Sequence, residues 1–290
     1  MAATLSAKTR ISYKRLMDEM QRELADGKET IEFAKDTEKV VKWIEGLPKA
    51  FATRKLYYAM LKSHLRDYGG EDYKAAEKVY GDTMYAYNCK LADKAEEQEM
   101  TKREAALWIE WPDVVKLREK LIENISDMNS FQDALILALY SYMPPARADY
   151  APMRVVGSEP TDTSGNYMLV PPGNRRAIII LNEYKTAKSL GQRRITTPAP
   201  LSALIRGWLR LNHSGWLLLA ENGRPMNEDL LCKRIKKIFF RETGRGTGIN
   251  ILRHSYITDA RRGEKPLKEQ KELALAMGHS IGMSQLYRRL

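Results

Sequence analysis

The chain has 290 residues, 43% of them hydrophobic, which is enough apolar mass for packed cores and excludes a disordered tail protein. A single hydrophobic core rarely grows to this length, so about two domains are expected. Lys and Arg number 48 against 37 Asp and Glu, and the net charge of +11 points to a polyanionic partner, nucleic acid ahead of an acidic membrane.

The opening MAATLSAKTRISYKRL has no apolar core segment and is not a secretory signal. No later run approaches the ~18 apolar residues of a membrane span. Apolar residues at helical spacing predict helices over Ile11–Asp26, Thr37–Leu47 and Phe51–Tyr68, the second closed by Pro48 and the third by Gly69-Gly70. A fourth runs from Tyr73 to about Glu97. In the third, Tyr57, Leu61, Leu65 and Tyr68 share one face, while Lys55, Lys62 and Arg66 share another that could solvate the helix or track phosphates. Cys89 and Cys232 stand far apart without metal-ligand spacing and read as small buried residues of a reducing interior. No zinc motif, Walker loop or HExxH helix occurs, and no cofactor is expected.

The stretch KAEEQEMTKREAALWIE turns charged, and Trp111-Pro112-Asp113 reads as a helix start with proline in its first turn. The expected organisation is a helical domain over 1–100, a linker over 101–111 and a second domain over 112–290. In that second part, Phe131–Met143 is an apolar helix ended by Pro144-Pro145. NYMLVPP, RAIIILNEYKT and QRRITTP read as strands, the last two joined by a tight hairpin at AKSLG. Beyond Pro198 the pattern is helical again, with a short apolar piece at Trp216–Ala220. The fold class is therefore mainly α with a small antiparallel β-sheet, α+β, since no βαβ alternation occurs.

Five segments of the second half each offer a group suited to a phosphodiester: Arg147 in MPPARADY, Lys185 in NEYKTAKSLG, Arg253 in NILRHSYITDARR, His279 in MGHS, and Tyr287 eight residues further on. Each alone has an ordinary structural explanation, as a helix cap, a solubilising surface charge or a turn. Their order carries the information. Ile251-Leu252-Arg253-His254-Ser255, then Gly278-His279-Ser280, then Tyr287 resembles the signature of the tyrosine recombinases, the phage-type integrases and their relatives. EYKTAKSLGQRRITTP resembles that family's β-hairpin, with Lys185 in the place of the catalytic lysine, and Arg147 takes the place of its first arginine. The resemblance runs from about Pro112 to the end, while the helical front resembles the family's core-binding domain by position and helix content alone.

The resemblance implies a site-specific recombinase or integrase that cleaves and rejoins double-stranded DNA through a covalent 3′-phosphotyrosine, without metal or ATP. Tyr287 is then the nucleophile, Arg147 and Arg253 the clamps on the non-bridging oxygens, Lys185 the acid for the 5′ oxygen, and His279 a phosphate ligand. It further implies DNA contacts from the first domain, with Lys55, Lys62 and Arg66 as candidates, a homo-oligomer on DNA, and an intracellular location with DNA in nucleus or cytoplasm. Lys188 competes with Lys185 for the acid role, and His254, pointed about 100° from Arg253 around its helix, reads as structural. Three features depart from the pattern. Asn250 stands where histidine or lysine is usual and can donate to a phosphate but not shuttle a proton; the His279–Tyr287 spacing is one residue short; and Asp149 sits one place before the usual acid. These suit a divergent member, of the kind carried by eukaryotic mobile elements or large DNA viruses. A type IB topoisomerase-like enzyme and a catalytically weakened DNA-binding relative are the alternatives. Only Arg288, Arg289 and Leu290 follow Tyr287, too few for a docking helix, so contacts between copies are expected from elsewhere unless the chain has been shortened.

Overall fold

A computed structural model of the protein describes residues 5–262, 267–278 and 280–289. The chain divides into two compact units, Met1–Glu97 and Gln98–Leu290. Among the described residues no helix is long and apolar enough to cross a membrane.

The first unit is helical: α1 (Ala7–Leu24), α2 (Thr37–Gly46), α3 (Phe51–Tyr68) and α4 (Lys74–Glu96), with short 3₁₀ turns before α2 and α4. Ser6 caps α1 by accepting from the Thr9 amide, and Asp36 caps α2 by accepting from that of Lys39. The apolar stripes meet in one core containing Leu16, Met20, Ile44, Leu61 and Leu65. Tyrosines supply much of its volume, and their hydroxyls are satisfied. Tyr58 and Tyr87 both donate to the Glu45 carboxylate at 2.7 Å, and Tyr80 donates to the Ala34 carbonyl at 2.8 Å. Tyr68 departs from the expected stripe. It lies one turn beyond the core, 80% exposed, where its ring meets that of His64. Cys89 is exposed and Cys232 half-buried, so neither is the buried residue expected.

The second unit begins at Gln98, just before the segment expected to be a linker. Residues 102–107 form α5 (Lys102–Leu107), opened by a capping box in which Thr101 and Glu104 exchange bonds. The Leu107 carbonyl accepts from Thr247 Oγ1 at 2.8 Å and the Trp108 carbonyl from Arg245 at 2.6 Å, so this stretch is bonded to the second unit. Next come α6 (Trp111–Glu123), with Pro112 in its first turn, and α7 (Met128–Ser141). From Gln132 to Ser141 every residue of α7 is buried. Its polar positions are paired accordingly: Gln132 exchanges two bonds with the Leu219 backbone, and Asp133 pairs with Arg234 and Arg241.

The sheet has four strands in the order β1 (Arg154–Val156), β2 (Tyr167–Leu169), β3 (Ile178–Leu181), β4 (Arg193–Thr196). Sequence patterning misses β1, three residues long, and the expectation of a purely antiparallel sheet fails there: β1 runs parallel to β2. The β2–β3 and β3–β4 pairs are antiparallel, with Met168 opposite Ile179 and Ile179 opposite Ile195. Both faces of the middle strands are covered. Met168, Ile179 and Leu181 face the main core, whereas Tyr167, Leu169 and Ile180 form a small cluster behind it. The connection from β3 to β4 is longer than a tight hairpin and contains the one-turn helix α8 (Ala187–Leu190). The remaining helices are α9 (Ala199–Leu209), α10 (Glu228–Thr243), α11 (Ile249–Ala260), α12 (Leu267–Ala276) and α13 (Ile281–Leu286).

Candidate active site

Two segments distant in sequence meet at Tyr287, the C-cap of α13, and a third is tied to them through Arg253. The first is the loop after α7, where Pro144-Pro145 prevent the helix from continuing. There Tyr140 donates to the Arg147 carbonyl at 2.6 Å, and the Arg147 amide donates to Asp149 at 3.1 Å. Held by its backbone, Arg147 directs Nη2 to 3.5 Å from Tyr287 Oη. Burial pushes the Asp149 carboxyl up, while the Arg147 amide and the Arg253 and Arg147 charges pull it down. Asp149, early as it is in sequence, thus places an acid beside both arginines.

The second segment is α11. Arg253, in its interior and 1% exposed, donates to the Pro145 carbonyl through Nη1 and to the Met277 carbonyl through Nη2 at 3.2 Å. One guanidinium thereby ties the loop carrying Arg147 to the turn leading toward position 279. Its carbon lies 5.6 Å from the centroid of the Tyr287 ring. Burial lowers the guanidinium pKa, attraction to Tyr287 raises it, and the like charge of Arg147 lowers it further. His254, the next residue, also reaches the tyrosine. Its ring stacks on that of Tyr287 with centroids 4.6 Å apart, and Nδ1 lies 2.7 Å from the Tyr287 carbonyl. A carbonyl only accepts, so Nδ1 carries the proton. Following Arg253 directly along the helix, His254 is expected to point elsewhere; the chain after α13 brings Tyr287 to both side chains.

The third segment is the turn after α12. Arg193, from β4, donates to the Ala276 carbonyl at 2.9 Å. Gly278 has φ +68°, and a Cβ there would stand 3.5 Å from Arg193 Nη1 and Thr186 Oγ1. The connection that carries Lys185 is thus seated against this turn through its neighbours.

Of the residues singled out in the sequence, the structure gathers Arg147, Arg253 and Tyr287. Lys185 is exposed and makes no hydrogen bond or ion pair among the described residues. Asn250 is exposed on the first turn of α11, at the edge of a cavity of about 790 Å³ that Arg103, Lys236 and His254 also line. His279 lies outside the described residues. In the first unit, Lys55 donates to Asn88 of α4 at 2.8 Å, Lys62 lies beside Gly81 of α4, and Arg66 pairs with Asp67. Lys55 and Lys62 thus line the seam with α4 instead of an open basic face. Two residues of the Tyr287 surroundings, Glu104 and Arg289, carry no motif in the sequence that points to the site. The Thr101-x-x-Glu104 capping box was a visible sign that Glu104 belongs to ordered structure.

No family model matches the chain, and no curated protein matches it in sequence. Solved structures do. The XerH site-specific recombinase bound to difH substrate, in a pre-cleavage complex, superposes with a TM-score of 0.51 at 16% identity, covering 88% of this chain and 65% of that one. This chain therefore spans just under two thirds of that recombinase. The XerA recombinase is similar at a TM-score of 0.47 and 14% identity, over 99% of this chain and 89% of its own. A protelomerase covalently complexed with substrate DNA is similar at 0.49 and 15%, over 100% and 90%. The chain has the tyrosine-recombinase fold.

Proposed function

We propose that the protein cleaves and rejoins DNA strands with Tyr287 as nucleophile. The observation that carries this reading is the placement of the Arg147 guanidinium 3.5 Å from Tyr287 Oη, with the buried Arg253 beside the same ring. A tyrosine hydroxyl flanked by two fixed cations suits attack on a phosphodiester, whose transition state gathers negative charge on the non-bridging oxygens. Tyr287 Oη gives up its proton to water as it attacks phosphorus, the bond from phosphorus to the 5′ oxygen breaks, and a 3′-phosphotyrosyl ester holds the strand end. Lys185 gives its proton to the departing oxygen. A 5′ hydroxyl of DNA later attacks the ester, restores the phosphodiester and releases the tyrosine. Neither step consumes a nucleotide cofactor, because the ester conserves the bond energy. Asn250 contributes an amide donor at the phosphate, and His279 keeps the ligand role its sequence position implies. Exchange between two duplexes requires paired sites, so this reading includes copies of the chain assembled on double-stranded DNA inside the cell.

The test is a DNA duplex nicked so that the released end diffuses away. Wild type accumulates a covalent protein–DNA band on its own site, and Tyr287→Phe gives none. An adduct formed by the phenylalanine variant would put the nucleophile elsewhere.

A further inference from the structure

α13 spans six residues, far below the ~12–15 that an isolated helix needs to persist in water. The position of Tyr287 is therefore set by what holds the 284–289 segment. Several contacts do so. Gln98 donates to the Gln285 carbonyl at 3.1 Å, Arg261 to Ser284 Oγ at 3.2 Å, and the Arg289 amide to Thr258 Oγ1 at 2.9 Å. The ionic contact comes from α5: Arg289 Nη2 lies 3.0 Å from Glu104 Oε1. The two side chains are 12% and 22% exposed, against 59% and 49% for the neighbouring Arg262–Glu110 pair, so water screens this contact less.

Glu104 is itself oriented. Its Oε2 accepts from the Thr101 amide at 2.9 Å in the capping box, which leaves Oε1 for Arg289. The same Oε1 stands 4.0 Å from Nε2 of His254, whose ring stacks on Tyr287. Arg289 returns the contact to the nucleophile's own turn by donating to the Leu286 carbonyl at 2.9 Å. A chain of contacts thus runs from the cap of α5, through one carboxylate, to both flanks of the tyrosine.

We infer that Glu104, acting through Arg289, is a positioning residue for Tyr287, so that α5 fixes the nucleophile's place from the start of the second unit. This rests on Tyr287 being the nucleophile. Glu104→Gln is the informative variant, because glutamine also serves in a capping box and the helix start survives while the negative charge facing Arg289 goes. In the full-length protein on the nicked duplex, the single-turnover adduct rate at saturating DNA falls by about tenfold in Glu104→Gln, the scale of one charge-assisted contact. DNA affinity in gel shift stays at the wild-type level. Arg289→Ala falls as far or further, Glu104→Gln/Arg289→Ala is no slower than Arg289→Ala alone, and the exchanged pair Glu104→Arg/Arg289→Glu recovers part of the rate. Multiplying losses, or a loss of DNA affinity in place of rate, would overturn the inference.

Amide hydrogen exchange keeps the inference testable without chemistry. Exchange over 281–289 accelerates in Glu104→Gln while α7 and α10 stay protected. If wild type forms no adduct, the nucleophile reading fails by itself, and unchanged exchange would then remove the anchoring role as well.

Discussion

Replacing Arg253 by lysine keeps a positive charge and removes a planar fork. In the structure that fork spans two segments, donating to the carbonyls of Pro145 and Met277, from a side chain 1% exposed. A lysine ammonium is a point donor on a flexible stem and serves one carbonyl, leaving the other buried without its partner. One charge-assisted bond of this kind is worth ~1.5–3 kcal/mol. For a unit of this size that lowers the midpoint of thermal unfolding by roughly 3–12 °C. The chemical loss is larger, because the loop carrying Arg147 and the turn after α12 no longer share a strut. The adduct rate is expected to fall by about 10²–10³, the range for removing one oriented donor at a charged transition state. Circular dichroism gives the midpoint, and single-turnover cleavage of the nicked duplex gives the rate. Arg206→Lys is the control. Arg206 also donates to two carbonyls, those of Pro171 and Arg175, but away from Tyr287, so it costs stability and leaves the rate alone. An Arg253→Lys protein that melts and reacts like wild type would refute the reasoning.

Two further outcomes follow from the same geometry. Burial holds the His254 imidazole below its usual 6.5, with Arg289 and Arg253 pushing the same way against Glu104 and the Tyr287 carbonyl. Below about pH 6.5 the unfolded histidine binds protons that the folded one refuses, so the stacked arrangement loses stability as pH falls. The adduct rate of wild type should therefore drop on acidification from 6.5, and the drop should flatten in His254→Gln; identical profiles would rule this out. His64 in the first unit is shifted the same way by burial, which is why the readout is the adduct and not whole-chain melting. If Lys185 protonates the leaving oxygen, Lys185→Ala is slow on ordinary DNA and recovers on a duplex with sulfur at the bridging 5′ position, since a thiolate leaves without a proton. Without that recovery the acid is another group, Lys188 first.

Helix periodicity was a sound guide where one face is apolar and the other wet. The third predicted helix ends where α3 ends, at Tyr68. It was a poorer guide to what each face meets. Lys55 and Lys62 look like solvent-facing charge in sequence, yet α4 packs along that side. β1 could not be read from three residues whose pairing with β2 depends on partners thirteen positions away. The charged stretch around Glu104 looks like linker composition because its charges are satisfied by Arg289 and the helix cap, far away in the first case and local in the second. The order Arg147, Lys185, Arg253, His279, Tyr287 could be read because the proposed chemistry asks for particular functional groups, whose identity cannot vary freely. The supports around them could not, since many side chains can do a strut's work.

Arg253 is a strut in the structure and, in the proposed reaction, a reagent as well, and this bears on how such a protein could change over generations. Tyr287→Phe deletes one oxygen while preserving the ring that stacks on His254, and the fold loses little. Loss of Arg253 strands two buried carbonyls and parts two segments. A lineage drifting from cutting DNA toward merely gripping it would shed the tyrosine hydroxyl first and retain the arginine longest. Among descendants of this fold, an arginine at this place testifies to architecture, and the tyrosine hydroxyl is the better witness to chemistry.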